Sequence, residues 1–311
     1  MGWRCGLAVI VLFAFVPAAS SLATPIVSMG RMRVLADQAA VGNQHALHAL
    51  REFARSENAT ADVILGNLYA IGKGVPQDYA KAASWYKKAA LQGNSAGERF
   101  LGALYATGQG VPRSYTKAAV WWHKAAVQGD RIAEYVLGVR RAKGLGVPVS
   151  DTKAVYWYRK AAAQGYANAE LNLGVQYTTG EGVAQSYTKG VAWYRKSAAQ
   201  GDARAENNLG SSYLTGRGVP QNYAKAAYWD RKAAMQGYAR AETNLGTLYV
   251  LGLGVPQDNT LGLKWLILAK ANGSVRAARE LRLIESITTR AHIAQAQALA
   301  KQWWAARQGA K

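Results

Sequence analysis

A Leu-Gly pair recurs in this chain every 36 residues, at Leu65, Leu101, Leu137, Leu173, Leu209 and Leu245. A tryptophan keeps the same step, at Trp85, Trp121, Trp157, Trp193, Trp229 and Trp265. The segment between them reads GKGVP from Gly72, GQGVP from Gly108, GLGVP from Gly144, GEGVA from Gly180, GRGVP from Gly216 and GLGVP from Gly252. A period of this length, kept six times without insertion, excludes most compact folds. Each unit is one supersecondary element that cannot bury its apolar face alone, so neighbours must stack around a continuous core.

Each unit reads as two helices. In the second, Ala82, Trp85, Tyr86, Ala89 and Ala90 follow the i, i+3, i+4, i+7, i+8 spacing of one buried face. A capping residue precedes it in every copy: Asp78, Ser114, Ser150, Ser186, Asn222 and Asp258. A glycine suited to a left-handed cap follows it, at Gly93, Gly129, Gly165, Gly201, Gly237 and Gly273. Proline after the turn stops the first helix, with Ala184 the single exception. The glycine of each Leu-Gly pair lies inside the first helix, where it costs about 1 kcal/mol relative to alanine. That placement predicts a close approach by another helix or by the recurring tryptophan.

The pattern LGxLYxxGxGVPxDYxKAxxWYxKAAxQG, as in Leu65 to Gly93, resembles the Sel-1-like repeat family, a branch of the tetratricopeptide-like helical hairpins. The resemblance implies an all-α fold, an α-solenoid of six 36-residue helix-turn-helix repeats whose first helices line a concave face. It also implies an adaptor that holds other proteins, and, among exported bacterial members, roles in envelope signalling, surface assembly or host contact. One exported branch carries a disulfide in each repeat and is linked to β-lactam binding. This chain lacks those cysteines and departs from that branch.

The expected organisation is a signal peptide at 1–23, an N-terminal helical cap at 24–61, six repeats at 62–273 and a C-terminal helical cap at 274–311. Arg4, the apolar run Leu7 to Val16 and Ser21-x-Ala23 form the pattern of a cleaved export signal. The run is shorter than the roughly 20 residues a spanning helix needs, so no transmembrane span is expected after cleavage. The chain is therefore expected to be exported, to the periplasm or, alternatively, to the medium. Cys5 is the only cysteine and falls within the signal, which removes thiol catalysis, disulfides and cysteine metal sites from the expected mature chain. Two helices are expected in each cap, within Met29 to Ser56 and Val275 to Arg307. A membrane-binding role for Lys301-Gln302-Trp303-Trp304 is the alternative for the last one.

Enzyme motifs dissolve against the repeat. Ser-x-x-Lys occurs at Ser84–Lys87, Ser114–Lys117, Ser150–Lys153 and Ser186–Lys189. The last three serines share their column with Asp78 and Asn222, a tolerance that suits a cap and not a nucleophile. No Lys-Thr-Gly follows them. Gly66 to Lys73 misses the phosphate-loop spacing by one residue. His45 and His48 lack an evident third metal ligand. The acids Glu98, Glu134, Glu170, Glu206 and Glu242 stand in the first turn of the first helix, where negative charge is favoured. The expectation is a non-enzymatic protein without cofactor or metal, the alternative being a β-lactamase-like enzyme of cell-wall chemistry.

The formal charge is +20, from 38 Lys and Arg against 18 Asp and Glu. Much of it recurs with the repeat, in columns that include Lys88, Lys124, Lys160, Lys196 and Lys232 and Lys81, Lys117, Lys153, Lys189 and Lys225. A solvated face is expected there, attraction to an anionic envelope polymer is the alternative, and nucleic acid is excluded as an expected partner. The expected partner is a protein or extended peptide. Its candidate contacts are Asn172, Asn208 and Asn244, one repeat apart before the Leu-Gly pair, whose amides both donate and accept. The stretch VRRAKGLGVPVSDT, from Val139, places Arg141 where the other copies carry tyrosine and Asp151 where most carry another. An Arg141–Asp151 ion pair is expected there, leaving Arg140 and Lys143 as a smaller basic site.

Overall fold

The computed structural model describes residues 28–308; the expected signal at 1–23 lies outside them. Sixteen α-helices and no strand occur among the described residues. The six hairpins pair α3 (Ala59–Ile71) with α4 (Tyr79–Leu91), α5 (Ser95–Thr107) with α6 (Tyr115–Val127), and α7 (Arg131–Lys143) with α8 (Asp151–Ala163). They continue with α9 (Ala167–Thr179) and α10 (Tyr187–Ala199), α11 (Ala203–Thr215) and α12 (Tyr223–Met235), and α13 (Ala239–Leu251) and α14 (Asn259–Ala271). Before them come α1 (Met29–Ala40) and α2 (Gln44–Arg55), and after them α15 (Val275–Ser286) and α16 (Arg290–Gln308).

Each second helix packs on its own partner and on the first helix of the next hairpin. First helices also touch one another, α3 with α5, α11 with α13 and α13 with α15, whereas among α4, α6, α8, α10, α12 and α14 no pair packs as closely. The first helices therefore lie on the inside of the curve. The result is an all-α solenoid capped at both ends. In α16, Ala296 and Ala300 are buried and Trp303 meets Trp265 edge-on at 5.5 Å, so the cap occupies the face that a membrane would need.

Every expected cap on the second helices is made: the side chains of Asp78, Ser114, Ser150, Ser186, Asn222 and Asp258 each accept from a backbone N–H three residues on. This disposes of Ser-x-x-Lys in three copies, where serine binds the lysine's backbone nitrogen. The second glycine of the turn is forced by contact as well as by backbone. At Gly146, with φ of +79°, a Cβ would stand 2.5 Å from the carbonyl of Tyr115.

The helical glycines do mark a close approach, but not by the tryptophan column. The residue after that tryptophan lies on the glycine: Tyr86 on Gly66, Trp122 on Gly102, Tyr158 on Gly138, Tyr194 on Gly174, Asp230 on Gly210 and Leu266 on Gly246. Five of the six tryptophans are covered by the lysine three residues on, at 4.2 Å for Lys196 over Trp193 and 4.3 Å for Lys124 over Trp121, while Trp265 meets Lys264 at 4.6 Å.

The open end of each hairpin is closed by a buried acid. Asp62, Glu98, Glu134, Glu170, Glu206 and Glu242 are between 0 and 4% exposed. Each accepts from an amide 30 residues on, Gln92, Gln128, Gln164, Gln200, Gln236 or Asn272, at distances from 2.6 to 3.0 Å. Lys88, Lys160 and Lys232 approach three of these acids at 3.5, 3.6 and 3.2 Å. Burial pushes Asp62, Glu98, Glu134, Glu170 and Glu242 above the ordinary carboxylate range, against the pull of the amides and, at the first four, the lysines.

Two stability outcomes follow from these contacts. At Gly174 a Cβ would stand 2.6 Å from the buried Tyr194 ring, so Gly174→Leu should destabilise by about 1–3 kcal/mol in chemical denaturation despite its better helix propensity. Gln164→Ala removes the charge-assisted donor to Glu134 and should lose roughly 1.5–3 kcal/mol. Thermal melts of Gln164→Ala matching the wild type would show that the clasp is dispensable.

Candidate functional site

The three asparagines fall on the inner helices α9, α11 and α13, each half-buried. They stand in register with the second-helix residue 14 positions earlier. Asn172 lies against the hydroxyls of Tyr158 and Tyr135, and Asn208 against that of Tyr194. Asn244 donates to Asp230 at 3.4 Å and to Asn207 at 3.3 Å, and its carbonyl accepts from Arg276 at 3.1 Å. Tyr86 stacks on Phe100 at 5.0 Å, and Val136 holds the corresponding place after Trp122. Tyrosine therefore faces phenylalanine in one hairpin and asparagine in two others, and Asn244 is the most fully engaged of the three asparagines.

The polar surface around them is wider than the asparagines. Asn208, Ser211, Arg240, Thr243, Asn244 and Arg276 line a trough of 560 Å³ across α11, α13 and α15. A second recess of 320 Å³ shares Asn208 and Ser211 with it and continues to Thr178, Tyr187 and Arg217. The two form one path of hydroxyls, amides and guanidinium groups along the inner face. Arg240, Ser211 and Thr243 escaped the sequence reading because none belongs to a column unlike its siblings in an obvious way; only adjacency across hairpins collects them.

Asp230 was also missed, although its column offers a signal: the siblings are Tyr86, Trp122, Tyr158, Tyr194 and Leu266. It is fully buried, and one carboxylate oxygen has no hydrogen-bond partner. Burial pushes its pKa up to about 8, against the pull of Asn244 and Arg276. Burial thus favours the protonated carboxyl in the folded chain. Because the folded value lies above the ordinary 3.8, stability is full below about pH 4 and is lost as pH rises through about 8.

Arg140 and Lys143 stand three residues apart on α7 in different surroundings. The Arg140 guanidinium is half-buried over Trp122 at 4.8 Å and Tyr115 at 5.2 Å, while Lys143 is exposed. The expected Arg141–Asp151 pair does not form. Arg141 instead donates to the carbonyl of Pro148 at 3.4 Å, and no carboxylate comes within salt-bridge range of it among the described residues. The two tyrosine columns that these residues interrupt have different neighbours. Tyr69 and Tyr177 accept from Arg51 and Arg159 of the preceding hairpin, whereas Tyr79 and Tyr187 accept from Gln77 and Gln185 of their own turn.

The Sel1 repeat family profile matches six consecutive segments, residues 59–94, 95–130, 131–166, 167–202, 203–238 and 239–274. The chain is similar to a Sel1 repeat protein from Oxalobacter formigenes, at 33% identity and a TM-score of 0.70, over 82% of this chain and 76% of that one. It is also similar to c5321, a protective antigen present in uropathogenic Escherichia coli strains that displays an SLR fold. That match has 30% identity and a TM-score of 0.58, over 90% of this chain and 71% of that one. A search of curated proteins matched none.

Asp230→Asn keeps the shape and removes the titration. Its melting temperature should match the wild type at about pH 3.5 and exceed it by several degrees at pH 9, the gap opening from about pH 4 upward. Parallel melting curves at both pH values would rule out the assignment.

Proposed function

The chain belongs to the Sel1 repeat family, a family of protein-interaction scaffolds, and on that premise we propose that it is an exported, non-enzymatic adaptor. Its ligand is an extended segment of a partner protein, held in the polar trough on the inner helices. The observation that carries this reading is the continuity of that trough across successive hairpins, past Asn208, Ser211 and Arg240. Hydroxyls and amides at a one-repeat spacing suit the alternating donors and acceptors of an extended backbone. Arg217, Arg240 and Arg276 favour a segment with acidic side chains. Asn172 extends the path on α9. Asn244 contributes mainly by holding Arg276 in place.

Two competing readings have less support. The lysine columns face inward partners, with Lys88, Lys160 and Lys232 reaching both a tryptophan and a buried acid. This leaves less free charge for an anionic envelope polymer than the composition suggests. The Ser-x-x-Lys serines at Ser114, Ser150 and Ser186 are committed as helix caps, which weakens the β-lactamase-like alternative. Export to the periplasm rests on the apolar run Leu7 to Val16 and the Ser21-x-Ala23 site.

A photo-crosslinking residue at Ser211 should capture a discrete partner in cells, and one at Tyr228, exposed on the second helix α12, should not. Adding Asn172→Ala and Asn208→Ala should cut capture from Ser211 at least about tenfold, the effect of 1.4 kcal/mol, without changing the helical circular dichroism. Capture undiminished by both changes would place the partner elsewhere.

A further inference from the structure

The regular joints between hairpins use one repeated pair. Arg51 donates to the Tyr69 hydroxyl at 3.3 Å, Arg159 to Tyr177 at 3.0 Å, Arg195 to Tyr213 at 3.1 Å and Arg231 to Tyr249 at 2.7 Å. The pairs are 18 residues apart, each linking a second helix to the first helix that follows. Eighteen residues before Arg141 stands His123. Among the joints between repeats, both members of the pair are replaced here alone, the donor arginine by histidine and the tyrosine by arginine; at Lys87–Tyr105 only the donor differs.

The exchange removes a ring and leaves two nitrogen-bearing groups without an acid. His123 is exposed and meets Trp157 edge-on at 5.8 Å. Among the described residues neither His123 nor Arg141 has a carboxylate within salt-bridge range, and Arg141 makes one long bond, to Pro148. Between them lies a cavity of 390 Å³ bounded by Thr116, Ala119, Val120, Lys124, Leu137, Val147 and Trp157. The equivalent recess at the Arg51–Tyr69 joint measures 290 Å³, is crossed by the arginine–phenol bond and carries Asp78 in its lining. No acidic side chain lines the larger one.

We propose that this cavity between α6, α7 and α8 is a binding site for a small monocarboxylate carried on a compact apolar body. The Arg141 guanidinium is able to meet both carboxylate oxygens, and His123 supplies a further N–H. The aliphatic body covers Val120, which is 53% exposed, and displaces water from Leu137 and Val147. Of the three nitrogen-bearing side chains in the lining, Lys124 lies over the Trp121 ring at 4.3 Å, and the remaining guanidinium and imidazole suit a single negative charge. The site is separate from the inner trough and does not depend on it.

Ligand-observed NMR titration of the purified protein with N-acetyl-leucine, isocaproate and N-acetyl-leucinamide tests the assignment. At least one acid should bind, and the uncharged amide should bind at least about tenfold more weakly than N-acetyl-leucine, as expected for loss of a charge-assisted pair. The double variant His123→Arg, Arg141→Tyr installs the pair found at four other joints, so it should fold and melt like the wild type while losing the acid at least about tenfold. The reciprocal variant Arg159→His, Tyr177→Arg should add a second binding equivalent. Equal affinity for the two acids identifies a free apolar acid as the ligand, and preference for N-acetyl-leucine identifies the C-terminus of a chain. Acid binding unchanged in the double variant, amide binding equal to N-acetyl-leucine, or no acid binding by the wild type would each overturn the proposal.

Discussion

Six buried carboxylates hold the open ends of six hairpins, and the solenoid depends on them. An acid without a partner in the interior would be expensive, so each brings its own amide donor from the end of the second helix, and three bring a lysine as well. The amide has only one place where it satisfies the acid, which sets how far the second helix runs past the first. At the other end the turn is closed by backbone contact at its second glycine. Between these two constraints the ring–glycine contacts fall into register, and so do the tyrosine–arginine joints between hairpins.

That rigidity makes the irregular positions informative. A position inside a repeated contact has five or so internal controls that show what the contact requires. Asp230 breaks the ring column and places a buried carboxyl behind Asn244, beneath the polar trough. His123 and Arg141 break the joint together and open a cavity where siblings are crossed by a hydrogen bond. Both departures fall in contacts that most of the other repeats make in one form. Neither has an evident stabilising role, in contrast to the amide–acid clasps, which vary only between chemically equivalent residues.

The lysine columns illustrate how composition misleads without geometry. A net charge of +20 suggests a surface built to attract anions. In the folded chain the column from Lys88 to Lys232 lies over tryptophan rings, and members of it lean towards buried acids. Lys81, Lys117, Lys189 and Lys225 lie over the tyrosines of the first helices at 5.5 to 5.8 Å. Lys153 has no such ring, because Arg141 occupies the tyrosine position, and this adds to the uncompensated charge near the cavity.

Helix number, caps and turns were legible in the sequence because each is a local choice repeated at a constant period, whereas the inner position of the first helices came from the family resemblance and from the packing. Capping serines, positive-φ glycines and proline stops act within a few residues of themselves, so counting along the chain finds them. Pairings at 14, 18 and 30 residues were not legible, since nothing in local spacing says which of two helix faces a side chain addresses. The expected Arg141–Asp151 pair failed for that reason: its members are close in sequence but belong to columns that face different hairpins. The sequence by itself determined a six-hairpin α-solenoid and the columns from which any site must be drawn. Only tertiary structure decided that Asn208 meets Tyr194, that Asp230 is closed off behind Asn244, and that His123 is the residue Arg141 must be read against. Those relations arise from stacking one hairpin on the next, which brings together residues that no single repeat contains.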